Sequence, residues 1–403
     1  MINIDVISNV FSLIQWGDYS SVINQENCIA RQIKGTSVFA IFTTNANQQY
    51  IQLLESIFLE YPEFEESISK KSFDALLLGF MQENHATGEK EITKELWDNF
   101  ILRIKKLPEM EYEIFFPWPN WACFLKTPGT IGILTWYNKE DLIRCNHMFA
   151  NALIQTMQER DFKNVEQVLC IRCRAKEQDE KSAWNIAVIY YKRLLSLFYT
   201  LLPVVLSNET PADTIAKCFT DTILLAPKKS YSNFSPPPPQ PTNQVNVFPQ
   251  MINMVAILCK HTRHMTWWEK RFLVAITLIG KARETQAKFE QFLLCASGLE
   301  AITKMGKKNL TFQFTHHSAY LITANKEEQD VIISDLTLMY DIRSDIAHGK
   351  HLEVSDKDLN NLFIYTILAL RNYFQYVKAM RREEEYSDFI NARDKKYKEI
   401  VNV

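Results

Sequence analysis

Glycine is scarce in this chain, 10 residues in 403. None stands in the spacing of a phosphate-cradling loop or of a dinucleotide-binding turn, so neither of those nucleotide sites is expected. The nucleophile elbow Gly-x-Ser-x-Gly is missing as well. Excess charge of one sign is also lacking. Lys and Arg number 45 against 47 Asp and Glu, a net charge of −2, which excludes a protein that coats nucleic acid over its whole surface. Long apolar runs are absent. The most hydrophobic stretch, Trp184 to Leu206, is interrupted by Lys192 and Arg193 and leaves about 13 apolar residues, short of the ~20 that span a bilayer. No membrane partner is expected. The start, Met1-Ile-Asn-Ile-Asp5, lacks a basic segment followed by an apolar one, so no secretory leader is read there. Eight cysteines are scattered at 28, 123, 145, 170, 173, 218, 259 and 295. Together these features favour a reducing cytoplasmic location over a disulfide framework.

What is present is ordinary globular material. Hydrophobic residues make up 47% and charged residues 23%, and the length implies two or three domains. Residues 1–226 mix periods. Helical spacing recurs at 4–16, 46–60, 91–106, 139–159 and 182–206, with Thr93 as a candidate N-cap. Strand-like runs occupy 36–43, 111–116, 121–126, 130–137 and 165–174, and Thr127-Pro-Gly-Thr130 reads as the turn between the third and fourth of them. This region is expected to be α+β with a small antiparallel sheet. Residues 227–244 contain four consecutive prolines, Pro236 to Pro239, which forbid a helix and mark a linker or long loop.

From 245 the pattern is helical, and the overall expectation is a mainly α protein: an α+β N-terminal region followed by an all-α bundle. Apolar segments cover 247–262, Trp267 to Arg283 and Gln286 to Met305, with Gly306 as the stop of the third. Residues 310–325 read as a variable stretch carrying His316 and His317 in a loop near Lys307 and Lys308. Helix signal resumes near Lys326 and runs to His348, where Gly349 supplies a stop. Ser355-Asp-Lys-Asp358 resembles a capping box. It opens a last core helix whose apolar face is Leu362, Phe363, Ile367, Leu370, Phe374 and Val377. The bundle is thus placed at 245–380, and 381–403 reads as a charged, exposed helix. Residues 245–403 hold 22 Lys and Arg against 19 Asp and Glu, a balance compatible with a local basic cleft.

The residues of chemical interest lie in Tyr340-Asp-Ile-Arg-Ser-Asp-Ile-Ala-His-Gly349. Arg343 and His348 are five apart, about 140° around a helix, so they do not share a face. Ser344 lies four before His348 and Asp345 three before it, placing a hydroxyl and a carboxylate where either can hold the imidazole. Histidine titrates near neutrality and can move a proton, while arginine can pair with a phosphate. Phosphodiester chemistry suits such a pair; a helix-ending His beside an exposed Arg is also a common surface arrangement.

Leu338-Met-Tyr-Asp-Ile-Arg-Ser-Asp-Ile-Ala-His-Gly349 resembles the signature of HEPN domains, an Arg followed after several residues by His. It is most similar to the Apea-like branch, with its Tyr-x-x-Arg-Ser-x-x-x-His-Gly pattern. Upstream, Phe292-Leu-Leu-Cys-Ala-Ser-Gly-Leu-Glu-Ala-Ile302 resembles the helix that precedes the signature there. The resemblance covers roughly 250–380. It implies a metal-independent endoribonuclease without cofactor, in which the RNA 2′-OH attacks its own phosphorus and leaves a 2′,3′-cyclic phosphate and a 5′-OH. His348 would act as general base or acid and Arg343 would stabilise the phosphoryl charge. It also implies a homodimer whose composite site takes an Arg and a His from each copy. RNA, tRNA among the candidates, would be the substrate, a phage-derived factor the trigger or inhibitor, and abortive anti-phage defence the setting. Ser344, Asp345, Glu300 and Tyr340 are auxiliary candidates. Lys307, Lys308, His316, His317, Lys350 and His351 are candidate RNA contacts. A second reading keeps the helical dimer without the chemistry, as a nucleotide- or protein-binding regulator.

Weaker constellations are read as structure first. Cys145, His147, Cys170 and Cys173 have a spacing that could ligate zinc, but Cys170 and Cys173 sit in a strand-like run without framing glycines, so core cysteines are expected and no metal is assigned. His261 and His264 are taken as one polar helical face. Phe115, Phe116, Trp118, Trp121 and Phe124 could stack bases, and packed core is the expectation.

Overall fold

The computed structural model describes residues 3–18, 20–21, 28–33, 35–64, 67–118, 122–123, 129–138, 140–141, 167–176, 179–201, 222–226, 229–233, 245–246, 252–350 and 353–401. The chain is mainly α, with an α+β N-terminal region followed by a helical bundle. In chain order it begins α1 (Ile4–Ser12), β1 (Gln15–Gly17), β2 (Cys28–Gln32), β3 (Phe39–Thr43), α2 (Thr44–Glu60), α3 (Lys70–Ala86) and α4 (Lys94–Lys105). There follow β4 (Glu109–Trp118), β5 (Ala122–Cys123), β6 (Gly129–Ile131), β7 (Leu134–Asn138), β8 (Gln167–Lys176), α5 (Glu180–Leu201), β9 (Thr222–Ala226), β10 (Lys229–Asn233) and β11 (Val245–Asn246). The sheets have strand orders β1-β3-β2, β10-β9-β4-β8-β7-β6 and β11-β5. Two compact units are resolved: one of residues 1–114, 172–187 and 224–230, the other of 115–171, 188–223 and 231–403.

The first unit is built on helix caps and aromatic packing. Thr43, Ser69 and Thr93 begin α2, α3 and α4, each accepting a backbone N–H of its own first turn. Phe58, Phe64, Phe73, Phe80, Trp97 and Phe100 are buried together, with Phe80 stacked on Phe100 at 4.5 Å. The expected helix at 4–16 stops at Ser12, because Gln15–Gly17 pairs antiparallel with β3, Trp16 opposite Ala40. The α3 helix and the β2 strand had no counterpart among the sequence expectations.

One expected hairpin is re-drawn. The run 130–137 is two strands: β6 pairs with β7, Ile131 opposite Leu134, across a two-residue turn at Gly132 (φ 59°). Glycine at the first central position allows the backbone twist that such short hairpins require. A turn therefore lies at 132–133; residues 127 and 128 of the turn read at 127–130 lie outside the described residues. Of the strand expected at 121–126 only Ala122–Cys123 is described, and the helix expected at 139–159 lies almost wholly outside the described residues, as do Pro236 to Pro239. Lys229–Asn233, read as linker, is a strand.

The helical unit continues with α6 (Ile252–Leu258), α7 (Trp267–Glu284), α8 (Lys288–Thr303), α9 (Leu310–Phe312), a π-helical turn at Gln313–His317, α10 (Ser318–Ile322), α11 (Lys326–Ala347), α12 (Asp356–Val377) and α13 (Glu383–Val401). Thr266 and Glu269 close a full capping box at the start of α7. At α12 only half of the expected box forms: Ser355 accepts from the Asp358 N–H, and the Asp358 carboxylate takes the Ser355 hydroxyl. The face Leu362, Phe363, Leu370, Phe374 and Val377 is buried as read, with Ile367 half-buried. Gly280 lets α7 lie against α5, where an added Cβ would meet Ser196 Cα at 2.7 Å.

Three expectations change here. Gly306 is not the left-handed stop of α8; Lys304 turns the chain extended, and Asn309 (φ 54°) takes the positive φ before α9. Residues 310–322 are helical throughout, the extra residue per turn of the π segment being why the usual period is obscured. Residues 383–401 are not merely a solvated helix. Tyr386 and Ile390 are fully buried, and the Tyr386 hydroxyl donates to the Ile302 carbonyl at 2.8 Å.

Candidate active site

The site is built at the C-terminal end of α11. Asn325 caps the start of this helix, and Gly349 (φ 69°) ends it. The Gly349 N–H bonds the Ile346 carbonyl at 3.0 Å and the Lys350 N–H reaches back to the Asp345 carbonyl at 2.8 Å. These two bonds are a Schellman motif, the helix stop that a glycine without Cβ strain permits. His348 is the C-cap residue, φ −96° and ψ 7°, its N–H still bonded to the Ser344 carbonyl at 3.0 Å. It therefore continues the helical progression by one residue. The separation of about 140° from Arg343 that the spacing implies is retained.

Arg343 sits in the last turn but one. Its Nη2 contacts both carboxylate oxygens of Glu300 on α8, at 3.1 and 3.3 Å, and its guanidinium lies 5.9 Å from the Tyr340 ring centroid. Tyr340 in turn leans on Phe314 of the π turn, centroids 5.3 Å apart. The pair is part-exposed, 29% for Arg343 and 25% for Glu300. Among the described residues Nη2 is the only Arg343 nitrogen committed to a hydrogen bond, which leaves Nε and Nη1 as donors for an anion. His348 is exposed, and its imidazole has no hydrogen bond or ring contact among the described residues. Ser344 and Asp345 are half-buried; Asp345 faces the Lys350 ammonium at 3.6 Å. Asp345 and Lys350 thus pair at the helix end that carries His348, and Glu300 and Tyr340 hold Arg343 about one turn earlier.

The other candidate RNA contacts divide. Lys307 and Lys308 are exposed in the turn before α9. His316 and His317 are not loop residues. His316 stacks on Phe312 at 4.1 Å and shares its Nδ1 with the Thr315 hydroxyl at 2.9 Å. His317 is buried at 7% exposure, with Nδ1 2.9 Å from the Thr303 carbonyl. Because that carbonyl can only accept, Nδ1 carries the proton. Burial lowers the pKa of both imidazoles. His317 is therefore a packing residue tying the π turn to the end of α8. His351 lies outside the described residues.

Among the remaining candidates, Cys170 and Cys173 are buried in β8, and burial pushes the Cys173 thiol up to about 12; Cys145 and His147 lie outside the described residues. No group of three His, Cys, Asp or Glu side chains is placed to hold a metal ion among the described residues. His261 and His264 do not share a helical face, since α6 ends at Leu258 and Thr262–His264 is a 3-10 turn. Phe115, Phe116 and Trp118 are buried, Phe116 stacked on Tyr191 at 4.4 Å, so these three form core as expected; Trp121 and Phe124 lie outside the described residues. No described helix is long and apolar enough to cross a membrane.

The Glu300–Arg343 pair joins residues 43 apart in sequence, and the acidic position of the Leu-Glu-Ala segment was its only advance signal. Phe314, the support of Tyr340, was missed. The signal that could have found it is its spacing of four from Leu310 and of seven from Leu321, which continues a helical face through the segment read as variable. No protein family, curated protein or solved structure matches the chain.

Proposed function

We propose that the helical unit is a metal-independent endoribonuclease of the HEPN type, acting in anti-phage defence. The observation that carries this reading is the unequal commitment of its two candidate residues. Arg343 is oriented by Glu300 and Tyr340 yet keeps two guanidinium nitrogens open, and His348 stands exposed and unbonded at a fixed helix end. In the reaction, a His348 imidazole takes the proton of the ribose 2′-OH as its oxygen bonds to phosphorus. The P–O5′ bond breaks, and the departing oxygen receives a proton from a second imidazole, that of the other copy. Arg343 stabilises the charge that builds on the non-bridging oxygens.

In a composite site Arg343 and His348 need not share a helical face. Among the exposed positions of α11, Val331, Ser334, Leu338 and Asp341 fall on one line that the exposed His348 continues, with Asp345 half-buried on it. Their alternating spacings of three and four are those of a helix seam that meets a second helix. Val331 and Leu338 are 60% and 64% exposed, an apolar start to a seam that ends at the catalytic histidine. A second copy packed there would bring the two His348 imidazoles to one cleft. The alternative of a non-catalytic binding module has one observation in its favour, the carboxylate of Glu300 against Arg343, which offsets its charge.

The test is cleavage of total cellular RNA by the purified full chain in EDTA, with the ends of the products determined. Cyclic-phosphate ends from wild type, lost in both Arg343→Ala and His348→Ala while the proteins stay folded, are the expected result. Equal cleavage by either variant, or a strict metal requirement, would sink the mechanism.

A further inference from the structure

The N-terminal unit contains a cavity of about 1090 Å3 along α3, bounded by the C-terminal half of α4 and the first turn of α5. That is the size of a small-molecule site. One wall is apolar, formed by Leu76, Phe80, Phe100, Ile104 and Leu107. Most of the charged groups that line it are already spent. Arg31 holds Asp74 at 3.1 Å and Arg103 reaches Glu83 at 3.4 Å. Lys176, 5% exposed, gives its three donors to the carbonyls of Lys105 and Leu107 and to Glu109. Asp179, 3% exposed, accepts from the backbone N–H groups of Ser69 at 2.6 Å and Ser182 at 3.2 Å.

Lys71 and Lys181 also line the cavity, and neither has a hydrogen bond, ion pair or ring contact among the described residues. The Ser69–Asp179 bond joins the starts of α3 and α5, and each lysine follows its capping residue by two positions. The two lysines therefore stand near the joined helix starts at the edge of the cavity. Each also sits in the first turn of its helix, where a cation opposes the helix dipole. An anion lying between them removes both penalties.

Gly79, in the middle of α3, lines the same space, and a Cβ added there would meet nothing within 4 Å. Mid-helix glycine is less stable than alanine, and no neighbour requires it. At Gly298, by contrast, a Cβ would meet Ile279 Cγ1 at 2.8 Å. The missing side chain at Gly79 keeps the cavity floor open.

We propose that this cavity binds a phosphate ester of nucleotide size, its phosphate between Lys71 and Lys181 and its organic body along the apolar wall over Gly79. Lysine serves phosphate as a compact point charge, and the apolar wall gives the body a surface that a bare anion would not use. The site stands independently of the ribonuclease reading.

Calorimetric titration of the full chain at low salt tests it, with the four ribonucleoside monophosphates, their nucleosides and inorganic phosphate as probes. At least one monophosphate should bind, more tightly than its nucleoside or inorganic phosphate, with affinity falling as salt rises. Lys71→Ala with Lys181→Ala should weaken binding by about tenfold or more. Gly79→Leu should remove it while the melting temperature stays level or rises. Failure of every monophosphate to bind wild type overturns the proposal, as does binding that survives both variants or a nucleoside that binds as well as its monophosphate.

Discussion

The protein holds two arginine–carboxylate pairs of nearly equal exposure, and they are finished differently. In the N-terminal unit Arg31 and Asp74 are 26% and 23% exposed; in the helical unit Arg343 and Glu300 are 29% and 25% exposed. Arg31 Nη1 bonds both Asp74 oxygens, its Nη2 bonds Asn47 at 2.8 Å, and Asp74 also accepts the Tyr50 hydroxyl at 2.6 Å. The guanidinium lies against the rings of Phe42 and Tyr50. That network engages both Nη atoms of Arg31. Arg343 rests on one carboxylate and one ring face and, among the described residues, keeps donors in reserve. Exposure alone does not separate a structural arginine from an available one; the count of satisfied donors does.

The largest effects should divide along this line. Arg343→Ala and His348→Ala are each expected to lower RNA cleavage by about 10²–10⁴-fold, the usual contribution of a positioned proton-transfer or charge-stabilising group, with the melting temperature nearly unchanged. Arg31→Ala should do the reverse. It leaves Asp74 and Asn47 short of partners and should cost about 1.5–3 kcal/mol of stability, read by denaturant unfolding, with cleavage per folded molecule intact. A catalytic loss in Arg31→Ala at full stability would erase the distinction.

Two glycines extend the comparison. Gly280 on α7 is closed over by Ser196, whereas Gly79 faces open space. Gly280→Ala is expected to destabilise by about 1–3 kcal/mol through overpacking, because the contact includes backbone that cannot step aside. Gly79→Ala should instead be neutral or stabilising by up to about 1 kcal/mol. Thermal unfolding of both variants settles the order, and an equal fall in both would show that the cavity beside Gly79 does not tolerate even a methyl group.

His317 gives a pH dependence to the helical unit. Burial holds its pKa below the ordinary 6.5, against a smaller opposite push from the Thr303 carbonyl. Between the folded value and 6.5 the unfolded chain binds more protons than the folded one, so stability rises with pH through that window and is lost as pH falls through it. His316 is shifted in the same direction. The slope contributed by His317 is at most about 1.4 kcal/mol per pH unit. His317→Gln, which preserves an N–H for Thr303, should flatten the decline in melting temperature between about pH 7.5 and 5.5 relative to wild type. An unchanged slope would mean that the imidazole is not kept neutral by the fold.

What could be read in advance follows the range of the forces involved. Thr93, Ser355 and Gly349 were legible because caps and stops are set by residues within one turn. The buried face of α12 was legible because its apolar residues recur at helical spacing over 22 residues. The π turn at Gln313–His317 was not, since its extra residue breaks the period that identifies a helix, and two adjacent histidines then look like loop. The packing of α13 was hidden by composition: Tyr386 and Ile390 are fully buried between charged neighbours such as Glu383–Glu385 and Arg393. At the candidate site the helix end was legible, but the Glu300–Arg343 contact is tertiary and no local pattern encodes it.

The smallest expected effect concerns Tyr340, and it asks how Arg343 is aimed. The Tyr340 hydroxyl has no partner among the described residues, whereas its ring lies between Phe314 and the Arg343 guanidinium. If the ring alone matters, Tyr340→Phe keeps the face and the Phe314 contact and should leave cleavage unchanged. Tyr340→Ala removes a cation–π contact of about 0.5–1 kcal/mol and should slow cleavage a few-fold, without the near-complete loss expected at Arg343 itself. Single-turnover rates separate this from weaker RNA binding, because a misaimed guanidinium lowers the chemical step even at saturating RNA. If Tyr340→Phe proved as impaired as Tyr340→Ala, the hydroxyl would belong among the groups that touch the phosphate, and Arg343 would be one of two donors on α11 rather than the only one.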